Sequence, residues 1–227
     1  AMTLKEYFSK KTLYLGDGEL IVGEKGRDPQ ASPTFPELCC HSEKDMIVMS
    51  ERELVSFKTT EEDRRLQKEE IIPYWTGRSM REKLLSRMTP EWHACYEAGM
   101  FTEFMEQRGP GHTCGGEQVF TTGYMDYKEK IRETMEGLDY FNDAEALDKC
   151  EELKAMDIAC DAVLILGERY RRLALEMAET EKDETRKGEL LQIAANLEVV
   201  PAHRPQTYWQ AIQLYWFTHL AVTTELN

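Results

Sequence analysis

The sequence predicts a mainly α-helical protein with a few short strands near its N-terminus. Apolar residues recur at steps of three and four through residues 142–181 and again through residues 204–222, which is the period of an amphipathic helix. Alternating and β-branched apolar residues appear early, in the glycine-bounded stretch 13–26. We therefore expect the strands to lie before residue 60 and helices to dominate the remainder.

The first part of the chain has the least regular pattern. Within "LYLGDGELIVGEKG" we predict a short strand over Leu20–Val22, between turns. Residues 27–41 contain three prolines. They are predicted to be largely irregular, because proline lacks an amide N–H and restricts the backbone. Apolar residues in this stretch, Phe35 and Leu38 among them, predict that it packs against the body of the protein.

Two stretches in the middle of the chain open with residues that are typical of a helix start. Residues 59–75 open with threonine and then glutamate, which predicts a helix that Pro73 should kink or end. Thr89 is a capping residue type and Pro90 suits the first helical position. Together they predict a helix over Thr89–Gln107.

The later part of the chain reads as long helices. We predict either one helix within Asn142–Glu181 or two helices with a kink near Gly167. A further helix, rich in aromatic residues, is predicted near Pro205–Val222. The run of glutamate and lysine at residues 176–189 is predicted to be a solvated helix end or loop.

Composition excludes several classes of protein. The chain has 227 residues and a formal charge of −14, from 28 basic and 42 acidic residues. Nucleic-acid-binding proteins usually have a basic excess, so we expect no nucleic-acid partner. No apolar run reaches the length of a membrane span and no secretory leader is visible, so we predict a cytoplasmic protein without membrane contact. The six cysteines are scattered, which predicts reduced thiols, with no metal and no organic cofactor in this chain.

A rigid glycine-rich loop, "EQRGPGHTCGGEQ" at residues 106–118, carries His112 at its centre. Gly109 and Gly111 allow a close approach of the backbone, and Pro110 stiffens the loop. From the residues alone two interpretations stay open. His112 is either bonded to backbone in a structural turn, or it is an acid–base group that the loop presents, since histidine titrates near neutral pH.

The other histidines have simpler interpretations. His41 and His93 are predicted to lie at the surface or to be satisfied by hydrogen bonds. His203 is predicted to help fix the turn into the last helix, and His219 to be a satisfied core histidine on an apolar helix.

Three stretches together resemble the glycyl radical enzymes. They are "GELIVGEKG" at residues 18–26, "MFTEFMEQRGPGHT" at residues 100–113, and "VVPAHRPQTYWQAIQLYWFTHLAVTTELN" at residues 199–227. Their order and spacing make the resemblance specific, and it runs across almost the whole chain. Within the family these stretches look most like the members that dehydrate hydroxyproline.

The resemblance implies an α/β barrel wrapped in helices, with the active site inside. It also implies a glycyl radical, installed by a radical SAM activating enzyme, and a thiyl cysteine that takes the radical up. The family's Arg-Val-x-Gly-Tyr and Gly-Cys-x-Glu motifs are absent from residues 1–227. We therefore expect the chain to be the N-terminal part of a pyruvate formate-lyase-type domain, inactive alone, with none of its cysteines acting as the catalytic thiol.

The resemblance also implies roles for two residues. His112 would hydrogen-bond the departing hydroxyl of a small-molecule substrate, and Phe104 would pack on one face of the substrate ring. The implied partners are that substrate, the activating enzyme and the remainder of the barrel, and a homodimer is compatible with the family.

Two alternatives stay open. One keeps the family but changes the chemistry, to a diol dehydratase, a C–S lyase, an arylacetate decarboxylase or a formate acetyltransferase. His112 favours elimination among these, because a decarboxylase has no hydroxyl to protonate. The other is a helical scaffold or interaction module without chemistry of its own. Ordinary helix core remains the competing interpretation of Phe104.

Overall fold

The computed structural model describes residues 1–54, 56–101 and 115–224, and within them the chain is mainly helical and contains no β-strand. The α-helices, numbered in chain order, are α1 (Met2–Lys10), α2 (Glu43–Glu51), α3 (Glu61–Leu66), α4 (Ile72–Trp75), α5 (Met80–Leu85), α6 (Pro90–Glu97), α7 (Tyr124–Glu136), α8 (Ala146–Thr180), α9 (Glu184–Val199) and α10 (Tyr208–Thr224). A π-helical turn, Gln67–Ile71, separates α3 from α4, and a 3-10 helix spans Gly116–Phe120. None of the described helices is long and apolar enough to cross a lipid bilayer.

The two long helices predicted from spacing are confirmed. Helix α8 is continuous, so the interpretation as a single helix is the correct one. Gly167 lies in its buried face rather than at a kink. A Cβ atom on Gly167 would stand 2.4 Å from Cδ of Pro201, so the glycine allows the segment before α10 to pack directly against α8.

The described chain divides into two compact units. The first contains residues 1–27 and 115–224, and the second contains residues 28–54 and 56–101. In the first unit α8 is the central element, in contact with α1, α7, α9 and α10. The buried core of this unit includes Leu166, Tyr170, Leu190 and Phe217.

An ion-pair network joins three helices of the first unit. Asp161 on α8 accepts from Lys5 on α1 and from Lys128 on α7, both at 2.8 Å, and Lys128 also pairs with Asp157 at 2.6 Å. These side chains are partly exposed, so solvent screens the network and it contributes modestly to stability. Its main effect is to orient α1 and α7 along α8.

The strand predicted over Leu20–Val22 is wrong, because these residues are irregular in structure. They belong to what we term the clasped segment, residues 16–25, whose peptide groups are bound by side chains of the surrounding helices instead of by a second strand. The apolar alternation that predicted a strand instead reflects burial: Val22 lies in the core whereas Leu20 is exposed.

Helix α10 supplies the central part of this clasp. The Gln213 side chain is only 1% exposed. Its Oε1 accepts from the Val22 N–H and its Nε2 donates to the Val22 carbonyl, both at 2.8 Å. Two indole N–H groups of α10 add further bonds, from Trp209 to the Leu20 carbonyl at 2.7 Å and from Trp216 to the Gly23 carbonyl at 2.8 Å. The amide of Gln213 therefore replaces the neighbouring strand that Val22 would otherwise need.

Gly23 is required where the clasped segment touches α10. Its φ is +131°, a region that side-chain-bearing residues rarely adopt, and a Cβ atom there would stand 2.7 Å from Cδ1 of Leu220.

Arg186 on α9 binds the start of the clasped segment. Its guanidinium donates to the carbonyls of Gly16 and Glu19 at 2.8 and 2.9 Å and pairs with Glu189. Arg186 is only 9% exposed. The run at residues 176–189, predicted to be a solvated helix end or loop, contains the end of α8 and the start of α9. Arg186 departs from this prediction because it is buried, and the backbone carbonyls supply the partners that a buried cation needs.

Lys11 binds the end of the clasped segment. Its ammonium donates to the carbonyls of Glu24 and Lys25 and lies over the ring of Tyr7, at 5.5 Å from the centroid. Lys11 is only 7% exposed. Burial lowers its pKa to about 8, Glu24 opposes this shift, and Arg169 reinforces it.

The second unit consists of shorter capped helices. The threonine-led start predicted for residues 59–75 is confirmed, because the Thr60 side chain accepts from the Asp63 N–H in a capping box. The helical path continues through the π-turn and ends at Trp75, shortly after Pro73. Residues 27–41 are irregular as predicted, and Phe35 is buried.

Gln213→Leu should lower the free energy of unfolding by about 2–5 kcal/mol, because it leaves a buried N–H and a buried carbonyl of Val22 without partners. Urea unfolding followed by circular dichroism measures the change. Gln206→Leu, at an exposed glutamine shortly before α10, is the matched control and should change stability by no more than about 0.5 kcal/mol. Equal effects of the two substitutions would contradict the clasp.

The Lys11 environment predicts a rise of stability with pH. Lysine in the unfolded chain titrates near 10.5 and Lys11 in the folded chain near 8, so between these values the unfolded state binds more protons and stability increases. Above about pH 9 the gain should level off and then reverse, since burial raises the pKa of Cys160 to about 11 and the pKa of Tyr7 and of Tyr170 to about 12.

We expect a gain of about 1 kcal/mol between about pH 7 and about pH 9 in urea unfolding. Lys11→Met should remove most of this gain. A Lys11→Met protein with an unchanged pH profile would show that another group is responsible.

Candidate functional site

The two residues predicted to act on substrate, Phe104 and His112, lie outside the described residues, as does Cys114. Their roles remain predictions. The structure describes the two segments that flank this loop, up to Phe101 in the second unit and from Gly115 onwards in the first.

The helix before the loop begins as predicted but ends earlier. Thr89 accepts from the Trp92 N–H and caps α6, which ends at Glu97 rather than at Gln107. The cause is Gly99, whose φ is +70°. The Met100 N–H donates to the Cys95 carbonyl and the Gly99 N–H to the Tyr96 carbonyl, which is the Schellman arrangement of a glycine-terminated helix. The glycine in "EAGM" was the signal that could have located this end.

An aromatic cluster anchors the chain as it enters the loop. The rings of Trp92 and Tyr96 stack at 5.3 Å, and Phe101 lies 5.1 Å from Trp92. Arg81 on α5 donates to the Tyr96 hydroxyl at 3.2 Å. The last described residue before the loop is therefore held against α6 by ring contacts, which the helical spacing did not reveal.

After the loop, the described residues resume with two consecutive glycines. Gly115 and Gly116 have φ values of +68° and +55°, and the 3-10 helix starts at Gly116. Val119 in that helix is buried against Val200 and Leu214. The ring of Phe120 stacks on Tyr215 of α10 at 6.5 Å.

The start of α7 fixes this exit to the segment before α10. The N–H groups of Tyr124 and Met125 donate to the carbonyls of Pro201 and Ala202, both at 2.9 Å. Gly123 allows this approach, since a Cβ atom there would lie 2.4 Å from the Ala202 carbonyl oxygen. The start of α7 is therefore held to Pro201 and Ala202, which belong to the stretch at residues 199–227 that carried part of the family resemblance.

The remaining histidines have local contacts. Nε2 of His93 lies 2.9 Å from the Leu85 carbonyl, and the backbone carbonyl of His41 accepts from Gln67 at 2.6 Å. The backbone N–H of His203 donates to the Val199 carbonyl at 2.7 Å, which places it in the turn as predicted. His219 stacks on Trp216 at 5.5 Å.

Two of the described thiols are poorly suited to nucleophilic chemistry. None of the described cysteines, Cys39, Cys40, Cys95, Cys150 and Cys160, forms a disulfide. Burial raises the pKa of Cys160 to about 11 and also raises the pKa of Cys40, so both stay protonated near neutral pH. Within the described part of the chain, no group of three or more histidine, cysteine, aspartate and glutamate side chains is arranged to hold a metal ion.

The chain is 54% identical to trans-4-hydroxy-L-proline dehydratase of Clostridioides difficile, with all of this chain and 29% of that protein aligned. It is 31% identical to isethionate sulfite-lyase of Desulfovibrio desulfuricans, over 97% of this chain and 28% of the relative.

The crystal structure of the C. difficile hydroxyproline dehydratase with trans-4-hydroxy-L-proline bound superposes with a TM-score of 0.90 at 53% identity, covering 99% of this chain and 28% of that one. The chain thus spans less than a third of the length of these relatives.

The pyruvate formate lyase-like family model matches residues 1–227. This match and the similarities in sequence and in fold show that the chain belongs to the pyruvate formate lyase-like family.

Proposed function

We propose that the whole protein to which these residues belong is a glycyl radical dehydratase that removes water from trans-4-hydroxy-L-proline. The observation that carries the proposal is that this chain, over nearly its whole length, is similar in sequence and in fold to part of hydroxyproline dehydratase. The chain corresponds to the N-terminal part of that enzyme. The barrel, the thiyl-cysteine loop and the glycyl radical segment belong to the remainder.

The chain's own contribution is the loop with Phe104 and His112. Hydroxide is a poor leaving group, so elimination of water is faster when a positioned acid donates a proton to the departing oxygen. We assign that role to His112: the C–O bond breaks with its electron pair moving to oxygen, and the His112 proton completes the water molecule. A base in the remainder of the enzyme would accept a proton from the substrate, so that the substrate gains no net charge. Phe104 would cover one face of the substrate ring.

The anchors on both sides support this assignment. The aromatic cluster on α6 holds the chain before the loop, and the buried Val119 with the Gly123 contact holds the chain after it. An acid must lie within hydrogen-bond reach of the leaving oxygen, which favours well-ordered segments before and after it.

The radical chemistry lies outside this chain. When present, the glycyl radical installed by a radical SAM enzyme supplies hydrogen abstraction from substrate through the thiyl cysteine. Residues 1–227 contain neither motif that would bear these groups. We therefore propose that the 227-residue chain alone is inactive, and that it binds its partners as part of the complete enzyme, which is a homodimer in this proposal.

Carbon–sulfur cleavage is the second candidate, favoured by the similarity to isethionate sulfite-lyase. Sulfite is a far better leaving group than hydroxide and needs no acid comparable to His112. The higher identity to the hydroxyproline enzyme places dehydration first.

The full-length protein, activated under anaerobic conditions, should consume trans-4-hydroxy-L-proline and should leave isethionate unchanged. The 227-residue chain treated in the same way is the control and should give no turnover. Mass spectrometry of both substrates measures the outcome. If isethionate alone is consumed, carbon–sulfur cleavage becomes the supported function in place of dehydration. If neither compound is consumed, the proposed substrate is refuted.

His112→Gln in the full-length enzyme should reduce hydroxyproline turnover by about two to four orders of magnitude, the usual range for a lost general acid. The glycyl radical signal in electron paramagnetic resonance should persist, because His112 has no role in radical installation. His203→Gln, at an exposed histidine of the same chain, is the matched control and should retain near-normal turnover. Near-normal turnover by the His112→Gln enzyme would contradict the acid role and would favour the interpretation of the loop as a structural turn.

A further inference from the structure

The second unit carries a concave surface that the proposed chemistry does not use. This surface, termed the basic groove, has a volume of about 400 Å³ and is lined by Trp75, Arg78, Met80, Lys83, Leu84 and Arg87. Glu37 is the one carboxylate in its lining. Three cations against one carboxylate make it locally basic, on a chain whose formal charge is −14.

The three cations are available to a ligand. Among the described residues, no ion pair joins Arg78, Lys83 or Arg87 to a carboxylate, whereas Arg65, Lys128 and Arg186 all have acidic partners. The Arg78 guanidinium lies over the Tyr74 ring, 4.6 Å from its centroid. This stacking orients the guanidinium and leaves its N–H groups free to bind oxygen.

The frame of the groove is held by hydrogen bonds. The buried Ser79 caps α5, and its hydroxyl donates to Glu82 at 2.8 Å. The Gly77 N–H donates to the same carboxylate at 3.0 Å, and the Met80 N–H donates to the Glu37 carbonyl at 2.8 Å. These bonds lower the pKa of Glu82, chiefly through the Gly77 N–H. The lining is therefore preformed, which reduces the ordering cost of binding.

The exposure of the groove decides which class of ligand it fits. All three cations are exposed, as is Met80 at 56%. A pocket for a small molecule encloses most of its ligand, whereas an open groove suits an extended segment that makes several contacts. Trp75, Met80 and Leu84 add apolar surface between the charges, which a bare phosphate would leave uncovered.

We propose that the basic groove binds an acidic segment of a partner protein. Carboxylates of that segment would pair with Arg78, Lys83 and Arg87, and one apolar side chain would lie against Trp75 and Met80. The proposal rests on charge complementarity and on the apolar lining, and it is independent of the proposed dehydratase activity.

A fluorescein-labelled synthetic peptide of alternating glutamate and leucine, titrated with the full-length protein, tests this proposal by fluorescence anisotropy. We expect saturable binding that weakens as salt is raised, since exposed charges are screened. The variant with Lys83→Glu and Arg87→Glu should bind about tenfold more weakly, from the loss of two exposed pairs and the added repulsion. A peptide with glutamine in place of glutamate should not bind.

The matched control reverses two exposed lysines outside the groove, Lys44→Glu and Lys182→Glu, with the same change in net charge. It should alter affinity by less than about twofold. Circular dichroism confirms that both variants fold. Three outcomes would overturn the proposal: no saturable binding, equal losses in the two variants, or displacement of the peptide by tripolyphosphate or a DNA oligonucleotide at lower concentration.

Discussion

The first unit depends on the way its helices bind the clasped segment. An irregular segment buried in a protein must find a partner for each peptide group, because an unpaired buried N–H or carbonyl costs about 1–3 kcal/mol. Here side chains provide these partners. Gln213 binds both the N–H and the carbonyl of Val22, while Arg186 and Lys11 bind backbone carbonyls at the two ends of the clasped segment. The segment in turn positions α1, α9 and α10 around α8, so the arrangement of these helices and the path of the segment are determined together.

This constraint extends to the exit of the candidate active-site loop. Helix α10 contacts the clasped segment through Gln213 and Trp216, and it also packs against the 3-10 helix that follows the loop. The segment before α10 accepts the first N–H groups of α7. The clasped segment and the residues at the loop's exit therefore share α10 as a common packing partner. The stretches "GELIVGEKG" and "PAHRPQTYWQAIQ" are therefore distant in sequence but contribute to one structural unit.

The two units serve different purposes in the proposed enzyme. The first provides a core and one fixed end of the loop, whereas the second provides the aromatic anchor at the loop's other end and the basic groove. Similarity to hydroxyproline dehydratase runs through both. The chain supplies acid–base and positioning groups in this proposal, and the radical-bearing residues come from the remainder of the protein.

The sequence by itself determined the helical class, the long helix α8, the capped starts at Thr60 and Thr89, and the family. These depend on local spacing and on contiguous motifs. The assignment of Phe104 and His112 came from the resemblance and stays a prediction. Only the tertiary structure decided that Leu20–Val22 is not a strand and that Arg186 is buried. In both cases the decisive partner is distant in sequence: Gln213 stands 191 residues from Val22, and Arg186 stands 170 residues from Gly16. The end of α6 at Gly99 is local by contrast, and the sequence contained its signal. Apolar alternation reports that a residue is buried, but it does not reveal whether a strand or a side-chain amide satisfies its backbone.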